Sequence, residues 1–366
     1  MKRRTISTWR FLLLALFISA IPSLMSLAPD GSAQESSETL FSQENAYNPI
    51  PSPDGKLVAY VRTGWDRPKG VGGFGRADLL SDVLVMTSDG APVTKKPLAD
   101  SFLAGWTPDG MNLVCFRDYF YGLVTLKGKR TMDGNLELKG GVVGPERVAY
   151  IPSRKTIGWS RMGSRHNTLI EFQGGTIARN DAWLGEFLVP SPDGRYLAVY
   201  GEKGLWVYSM QLGFWFDLGP AKIVDDFYEW SYIQPSWSPW FADSSHLAFF
   251  TKSSLVISNP SGSEKTSIPI DERAGLATPS PDGKAVAYVT FDPTPMKIRP
   301  DLQFWGGTTI WVISTAAGAK PVAVTQKNPA RTYDVKWLND DSLLFDRVDD
   351  VSFFQSSHIW KVRVTR

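Results

Sequence analysis

The tetrapeptides Ser52-Pro53-Asp54-Gly55, Thr107-Pro108-Asp109-Gly110, Ser191-Pro192-Asp193-Gly194 and Ser280-Pro281-Asp282-Gly283 each stand ahead of an apolar run. Ser or Thr suits the first position of a type I turn, Pro presets φ at the second, and Gly is favoured at the fourth. The residues that follow alternate as a strand does, as in Lys56-Leu57-Val58-Ala59-Tyr60-Val61 and Lys284-Ala285-Val286-Ala287-Tyr288-Val289. A turn-strand unit of this kind cannot bury both its faces alone, so its copies must stack on one another.

Blurred copies complete the series. Ser238-Pro239 leads through Asp243-Ser244 to His246-Leu247-Ala248, Ile151-Pro152-Ser153-Arg154-Lys155 precedes Thr156-Ile157-Gly158-Trp159, and Leu338-Asn339-Asp340-Asp341 precedes Leu343-Leu344-Phe345. Periods of roughly 40 to 50 residues, each holding four short strands, are those of propeller blades. The expected fold is therefore all-β, a seven-bladed β-propeller of four-stranded blades, with six blades as the alternative. The seventh unit ends soon after Trp360 without an outer strand. Thr39-Leu40-Phe41 is expected to supply it, closing the ring by pairing the N- and C-terminal strands and removing an open sheet edge.

The phrase S-P-D-G-[KR]-x-[LV]-A-Y followed by an I-W-V strand (Leu205-Trp206-Val207, Ile310-Trp311-Val312, Ile359-Trp360-Lys361) resembles the repeat of TolB-like propellers. That repeat is also similar to the propeller domains of prolyl-oligopeptidase-type enzymes. The resemblance runs from about Asn48 to the C-terminus and implies the fold. It implies little about function, because such repeats occur in binding proteins, peptidase accessory domains and some lyases.

Residues 1–33 read as an export signal: Lys2, Arg3, Arg4 and Arg10 precede an apolar run at 11–18, and Gly31-Ser32-Ala33 is a small-residue cleavage site, with Ala28 the other candidate. Residues 34–47 form the segment carrying the closing strand, and 48–366 the propeller. A periplasmic or secreted location follows. The single cysteine, Cys115, excludes an internal disulfide and reads as a small buried hydrophobe. Stability must then come from packing, for which 14 Trp, 12 Tyr and 20 Phe supply bulk. A net charge of +2 with no basic block argues against nucleic acid.

Catalytic motifs are absent from the sequence. It holds no G-x-S-x-G elbow, and its three histidines, His166, His246 and His358, occupy different positions within their repeats, so no metal or other cofactor is expected. Gly70-Val71-Gly72-Gly73-Phe74-Gly75 lacks the Lys-Ser/Thr pair of a phosphate loop. The enzymatic alternative is a polysaccharide hydrolase or lyase drawing on Asp66, Asp292, Asp301, Asp349 and Asp350 at the channel mouth.

The informative departures from the repeat are long insertions between the second and third strands of units one, six and seven, at residues 63–81, 292–307 and 347–357. Connections of one type emerge on one face, opposite the S-P-D-G turns, and these three units are neighbours in a seven-membered ring. Trp65, Arg67, Lys69, Phe74 and Arg76 lie in the first insertion, Met296, Lys297, Arg299, Phe304 and Trp305 in the second, and Phe353 and Phe354 in the third. Tyr228 and Trp230, between units four and five, reach the same face from the opposite side. Aromatic and Arg side chains are those that binding hot spots favour. The expectation is a monomeric, non-catalytic binder of a protein, peptide or glycan of the cell envelope, with no membrane span once the signal is removed.

Overall fold

The computed structural model describes residues 38–42, 45–64, 80–117, 120–135, 148–162, 167–172, 175–182, 184–185, 187–201, 204–221, 237–270, 273–299, 302–325, 332, 335–339, 341–348 and 357–365; along 292–299 and 302–306 it describes the backbone. Seven antiparallel sheets follow one another in chain order. The first strand, β1 (Thr39–Ser42), is taken up by the last sheet. Blade one holds β2 (Ala46–Pro51), β3 (Leu57–Gly64), β4 (Leu80–Thr87) and β5 (Ala99–Asp100). Blade two holds β6 (Phe102–Trp106), β7 (Asn112–Arg117), β8 (Phe120–Thr125) and β9 (Arg130–Asn135). In blade three are β10 (Ala149–Ile151), β11 (Thr156–Met162), β12 (Thr168–Phe172) and β13 (Gly175–Asn180), and in blade four β14 (Phe187–Pro190), β15 (Tyr196–Gly201), β16 (Gly204–Ser209) and β17 (Trp215–Gly219). Blade five shows β18 (Leu247–Phe250), β19 (Ser254–Ser258) and β20 (Lys265–Pro269), and its innermost place is held by an isolated bridge, Trp240 to Leu247. Blade six is β21 (Ala274–Pro279), β22 (Ala285–Arg299), β23 (Leu302–Ser314) and β24 (Val322–Ala323). Blade seven runs β25 (Val335–Asn339), β26 (Ser342–Val348), β27 (Ser357–Arg363) and then β1.

The ring closes as the sequence predicts. Thr39 pairs with Lys361, Leu40 with Trp360 and, past a bulge, Ser42 with Ile359. Seven blades, not six, make the circle.

Alternation along each strand divides side chains between two neighbouring blades rather than between core and water. Val58 and Tyr60 of β3 pack toward blade seven with Leu344 and Ile359, while Ala59 and Val61 pack toward blade two with Leu113 and Cys115. Inner strands are therefore buried on both faces, whereas an outer one such as Lys265–Pro269 is exposed along nearly its whole length. Cys115 is buried in this packing, which pushes its thiol up to about 12 and leaves it no thiolate character.

The recurring turn owes its residue types to hydrogen bonds. The Ser52 hydroxyl donates to Asp54 Oδ1 (2.7 Å) and accepts from Leu57 N–H (2.9 Å), while Asp54 Oδ1 also accepts from Lys56 N–H (3.2 Å). Thr107, Ser191 and Ser280 repeat the pattern with Asp109, Asp193 and Asp282. The glycines take φ of 68°, 67°, 71° and 70°, where an L side chain is strained. The fifth turn begins three residues later than its Ser238-Pro239 suggests. Phe241 N–H donates to His246 O, as Ser52 N–H does to Leu57 O, and Ser244 takes the glycine's place at φ 62°.

These bonds hold the carboxyls of Asp54 and Asp109 below the usual 3.8, chiefly through the Ser52 and Thr107 hydroxyls. At Asp193 desolvation works the other way and is outweighed by bonds from Arg195 and Ser191. A carboxyl lowered on folding stabilises above its unfolded value and loses that contribution as pH falls through the folded one. Stability is thus expected to be level above about pH 5 and to fall below pH 4. Urea midpoints from pH 3 to 7 check this, and Asn at 54, 109 and 193 should flatten the acid limb.

A second device was not anticipated. The residue just before the turn is Trp in blades two, five and seven, and Pro in the blade preceding each of them (Pro51, Pro190 and Pro279). Each indole N–H crosses the interface to the same carbonyl of the earlier blade: Trp106 to Ile50 (2.9 Å), Trp240 to Val189 (3.0 Å) and Trp337 to Thr278 (2.9 Å). Trp240→Phe, which keeps a ring and removes the donor, is expected to cost about 1–2 kcal/mol by urea denaturation.

Candidate functional site

In most blades the second and third strands meet through a short connection; β15 and β16 pair to Gly201 with Gly204. In blades one, six and seven the ladder instead continues into the inserted residues. Blade one pairs Thr63 with Ser81 and Gly64 with Leu80, and blade seven pairs Arg347 with His358 and Val348 with Ser357. Blade six goes furthest: β22 has 15 residues and β23 has 13, against 6 in each of β15 and β16. Its rungs run through Asp292 with Gly306, Pro295 with Trp305, Met296 with Phe304 and Lys297 with Gln303 to Arg299 with Leu302. This insertion, read from sequence as a loop, is a β-ribbon, because six of the nine extra residues in β22 find partners in β23. At about 3.3 Å per residue the six paired residues add roughly 20 Å of strand.

Blade seven packs directly between the other two, β25 against β21 and β22, and β26 and β27 against β2. The stems therefore leave adjacent blades on one face. Of the residues singled out by sequence, Met296, Lys297, Arg299, Phe304 and Trp305 belong to the ribbon, with Met296 and Phe304 on one rung. Trp65, Arg67, Lys69, Phe74, Arg76, Tyr228, Trp230, Phe353 and Phe354 lie outside the described residues, as do Asp66, Asp301, Asp349 and Asp350. Asp292 sits on the ribbon opposite Gly306.

Beneath the stems, blade seven is clamped from both sides. On the blade-one side, Asn48 takes φ 52°, a conformation Asn tolerates, where the β2–β3 register slips between Tyr47 and Ile50. Its N–H reaches Asp346 Oδ2 in blade seven (3.3 Å) and its Nδ2 donates to Leu103 O in blade two (2.8 Å), tying three blades together. On the blade-six side, the Thr278 hydroxyl donates to Val335 O (3.2 Å). Arg347, at the foot of the blade-seven stem, is 5% exposed. Its guanidinium lies 5.2 Å from the Phe345 ring centre and 4.8 Å from that of Trp360, and its Nη2 donates to Glu38 Oε2 (2.8 Å) just ahead of β1. Arg62 and Asp82 pair at 2.7 Å on the blade-one stem. These contacts give the hairpins a rigid base.

Sequence reasoning missed Asn48, Asp346, Glu38 and Arg347. Arg347 carried a signal, standing two residues after the apolar run Leu343-Leu344-Phe345 of its strand; Glu38 carried none. Among the described residues no group of three or more His, Cys, Asp or Glu could hold a metal ion. His246 immediately precedes β18, and its Nδ1 lies 2.8 Å from the Ser245 hydroxyl; His358 sits in β27. Among the described residues no helix is long and apolar enough to cross a membrane.

No protein-family model matches the sequence, and no curated protein does. Solved structures do. A chain from the crystal structure of a mitotic checkpoint complex matches over 98% of this chain and 100% of its own, at 13% identity and a TM-score of 0.54. A structure of the eukaryotic initiation factor matches over 87% and 78%, at 12% identity and 0.46. The putative TolB of Agrobacterium tumefaciens matches over 73% and 90%, at 13% identity and 0.39. The likeness is one of fold. It rests on the first of these three, and identities this low carry no activity or partner across.

Proposed function

We propose that this chain is an exported, non-catalytic β-propeller, periplasmic or secreted, that acts as a monomer and needs no cofactor. It binds a protein, peptide or glycan of the cell envelope through the face bearing the elongated hairpins. The observation that carries this reading is that three consecutive blades lengthen the same connection. Lengthening costs chain entropy, which a fold that needed only to close its ring would avoid by keeping the short form seen at Gly201 and Gly204. The aromatic and basic residues of those insertions, Trp65, Arg67, Lys69, Phe74, Arg76, Lys297, Arg299, Phe304, Trp305, Phe353 and Phe354, would make the contacts, with Met296, Tyr228 and Trp230 at their margin.

The test compares capture from envelope extract by the full chain and two variants. In one, Trp65, Phe304 and Trp305 become Ala; in the other, residues 292–307 are replaced by a two-residue Asn-Gly turn. Both are expected to melt as the parent does and to recover the partner at least tenfold less. Equal recovery by the ribbonless variant would overturn the reading.

A further inference from the structure

We infer that the blade-six ribbon binds by strand addition, accepting an extended peptide segment of the partner along the outer edge of β23 between Leu302 and Gly306. The inference rests on the proposed binding role and specifies its mode. Blade six is a four-stranded sheet only at its lower end. Its inner strand accompanies β22 as far as the rung between Ala274 and Thr290. On the other side β24 pairs with Trp311 and Val312, Val324 N–H meets Ile310 O, the Thr325 hydroxyl accepts from Ile310 N–H, and the last contact among the described residues is that of Thr332 N–H with the Thr308 hydroxyl (3.1 Å). Above these points, among the described residues, no strand pairs with either edge of the ribbon.

A two-stranded ribbon standing alone is marginally stable in water, and its unpaired N–H and C=O groups form a template for another strand. The two edges are not equivalent. β22 contains Pro293 and Pro295, which have no N–H and are tolerated in a ladder only where that group would face away from the partner strand. The outer edge of β22 therefore lacks donors at these positions and resists an added strand. β23 contains no proline, and reads Leu302-Gln303-Phe304-Trp305-Gly306 above buried Gly307 and the contact of Thr332 with Thr308. An added strand there would lie end to end with β24, extending the fourth-strand position of the blade. An extended polypeptide backbone is the occupant that presents alternating donors and acceptors at the spacing of this edge, which a glycan does not. The blocked β22 edge confines strand addition to the β23 side.

The probe is a random dodecapeptide phage library panned on the immobilised full chain and counter-selected on the ribbonless variant. Enriched peptides, synthesised, are N-methylated one residue at a time and titrated by fluorescence anisotropy. Strand addition predicts a period of two: methylation at alternate residues weakens binding at least tenfold, and at the intervening residues less than twofold. Phe304→Pro and Trp305→Pro sample both alternations of β23; at least one is expected to abolish binding with the melting temperature of the propeller unchanged. Ribbon-dependent binders without the period of two would overturn strand addition and leave the binding face standing. Failure to enrich ribbon-dependent binders, or a concentration-dependent dimer abolished in the ribbonless variant, would also overturn it. Equal capture of the envelope partner by the ribbonless variant would instead remove the binding role itself.

Discussion

Glu38→Gln is expected to destabilise the propeller by about 3 kcal/mol, since removing one partner of a buried ion pair leaves the other charge uncompensated. The Arg347 side chain is 6% exposed and that of Glu38 is 18% exposed, so water reaches neither easily. The guanidinium would keep its two aromatic neighbours, Phe345 and Trp360, but its Nε already lacks a partner among the described residues. For a domain of this size the melting temperature should fall by roughly 4 °C. The double variant Glu38→Gln/Arg347→Met removes the stranded charge along with the pair and should recover at least half of the loss. A Glu38→Gln cost below about 1 kcal/mol would show that the pair behaves as an exposed one does. The effect bears on ring closure, because β1 is held by three rungs and a bulge, and Glu38 is the residue that anchors its outer end to the blade.

Gly194→Ala should be about as costly, at roughly 3 kcal/mol, combining left-handed strain with overpacking. A Cβ at Gly194 would stand 2.5 Å from Ser153 N and 3.1 Å from two carbons of Pro152, all in the turn of the preceding blade. Gly110 has nearly the same φ, 67° against 71°, yet its Cβ would meet nothing closer than Pro53 Cδ at 3.8 Å. Gly110→Ala should therefore cost about 1 kcal/mol, the strain alone. Urea denaturation of the two variants separates the terms. Equal costs would mean that the contact between blades three and four gives way without penalty.

Much of the fold was legible in the sequence. The Ser–Asp–Gly chemistry of the turn acts over five residues, so it recurs wherever the turn recurs and marks off the blades. The closing strand was legible for a related reason: one unit lacked an outer strand, and Thr39-Leu40-Phe41 was a short apolar piece outside any unit. The fifth turn was misplaced by three residues because Ser238-Pro239 imitates the motif, whereas the backbone bonds follow Phe241 and Ser244. Insertion positions could be read as departures from the repeat. Their form could not, since residues 292–307 with three prolines and two glycines read as loop until β23 supplied partners.

By itself the sequence determined the local turn, a ring of seven or six blades, the strand that closes it and the face on which the long connections leave, and the structure fixed the number at seven. The tertiary structure alone decided which turns touch, which indoles reach a neighbouring carbonyl, and that Glu38 meets Arg347 across 309 positions of chain. The division has a physical basis. A turn is held by bonds between residues adjacent in sequence, whereas contacts between blades depend on the curvature of the whole ring, which brings together residues that no local pattern connects.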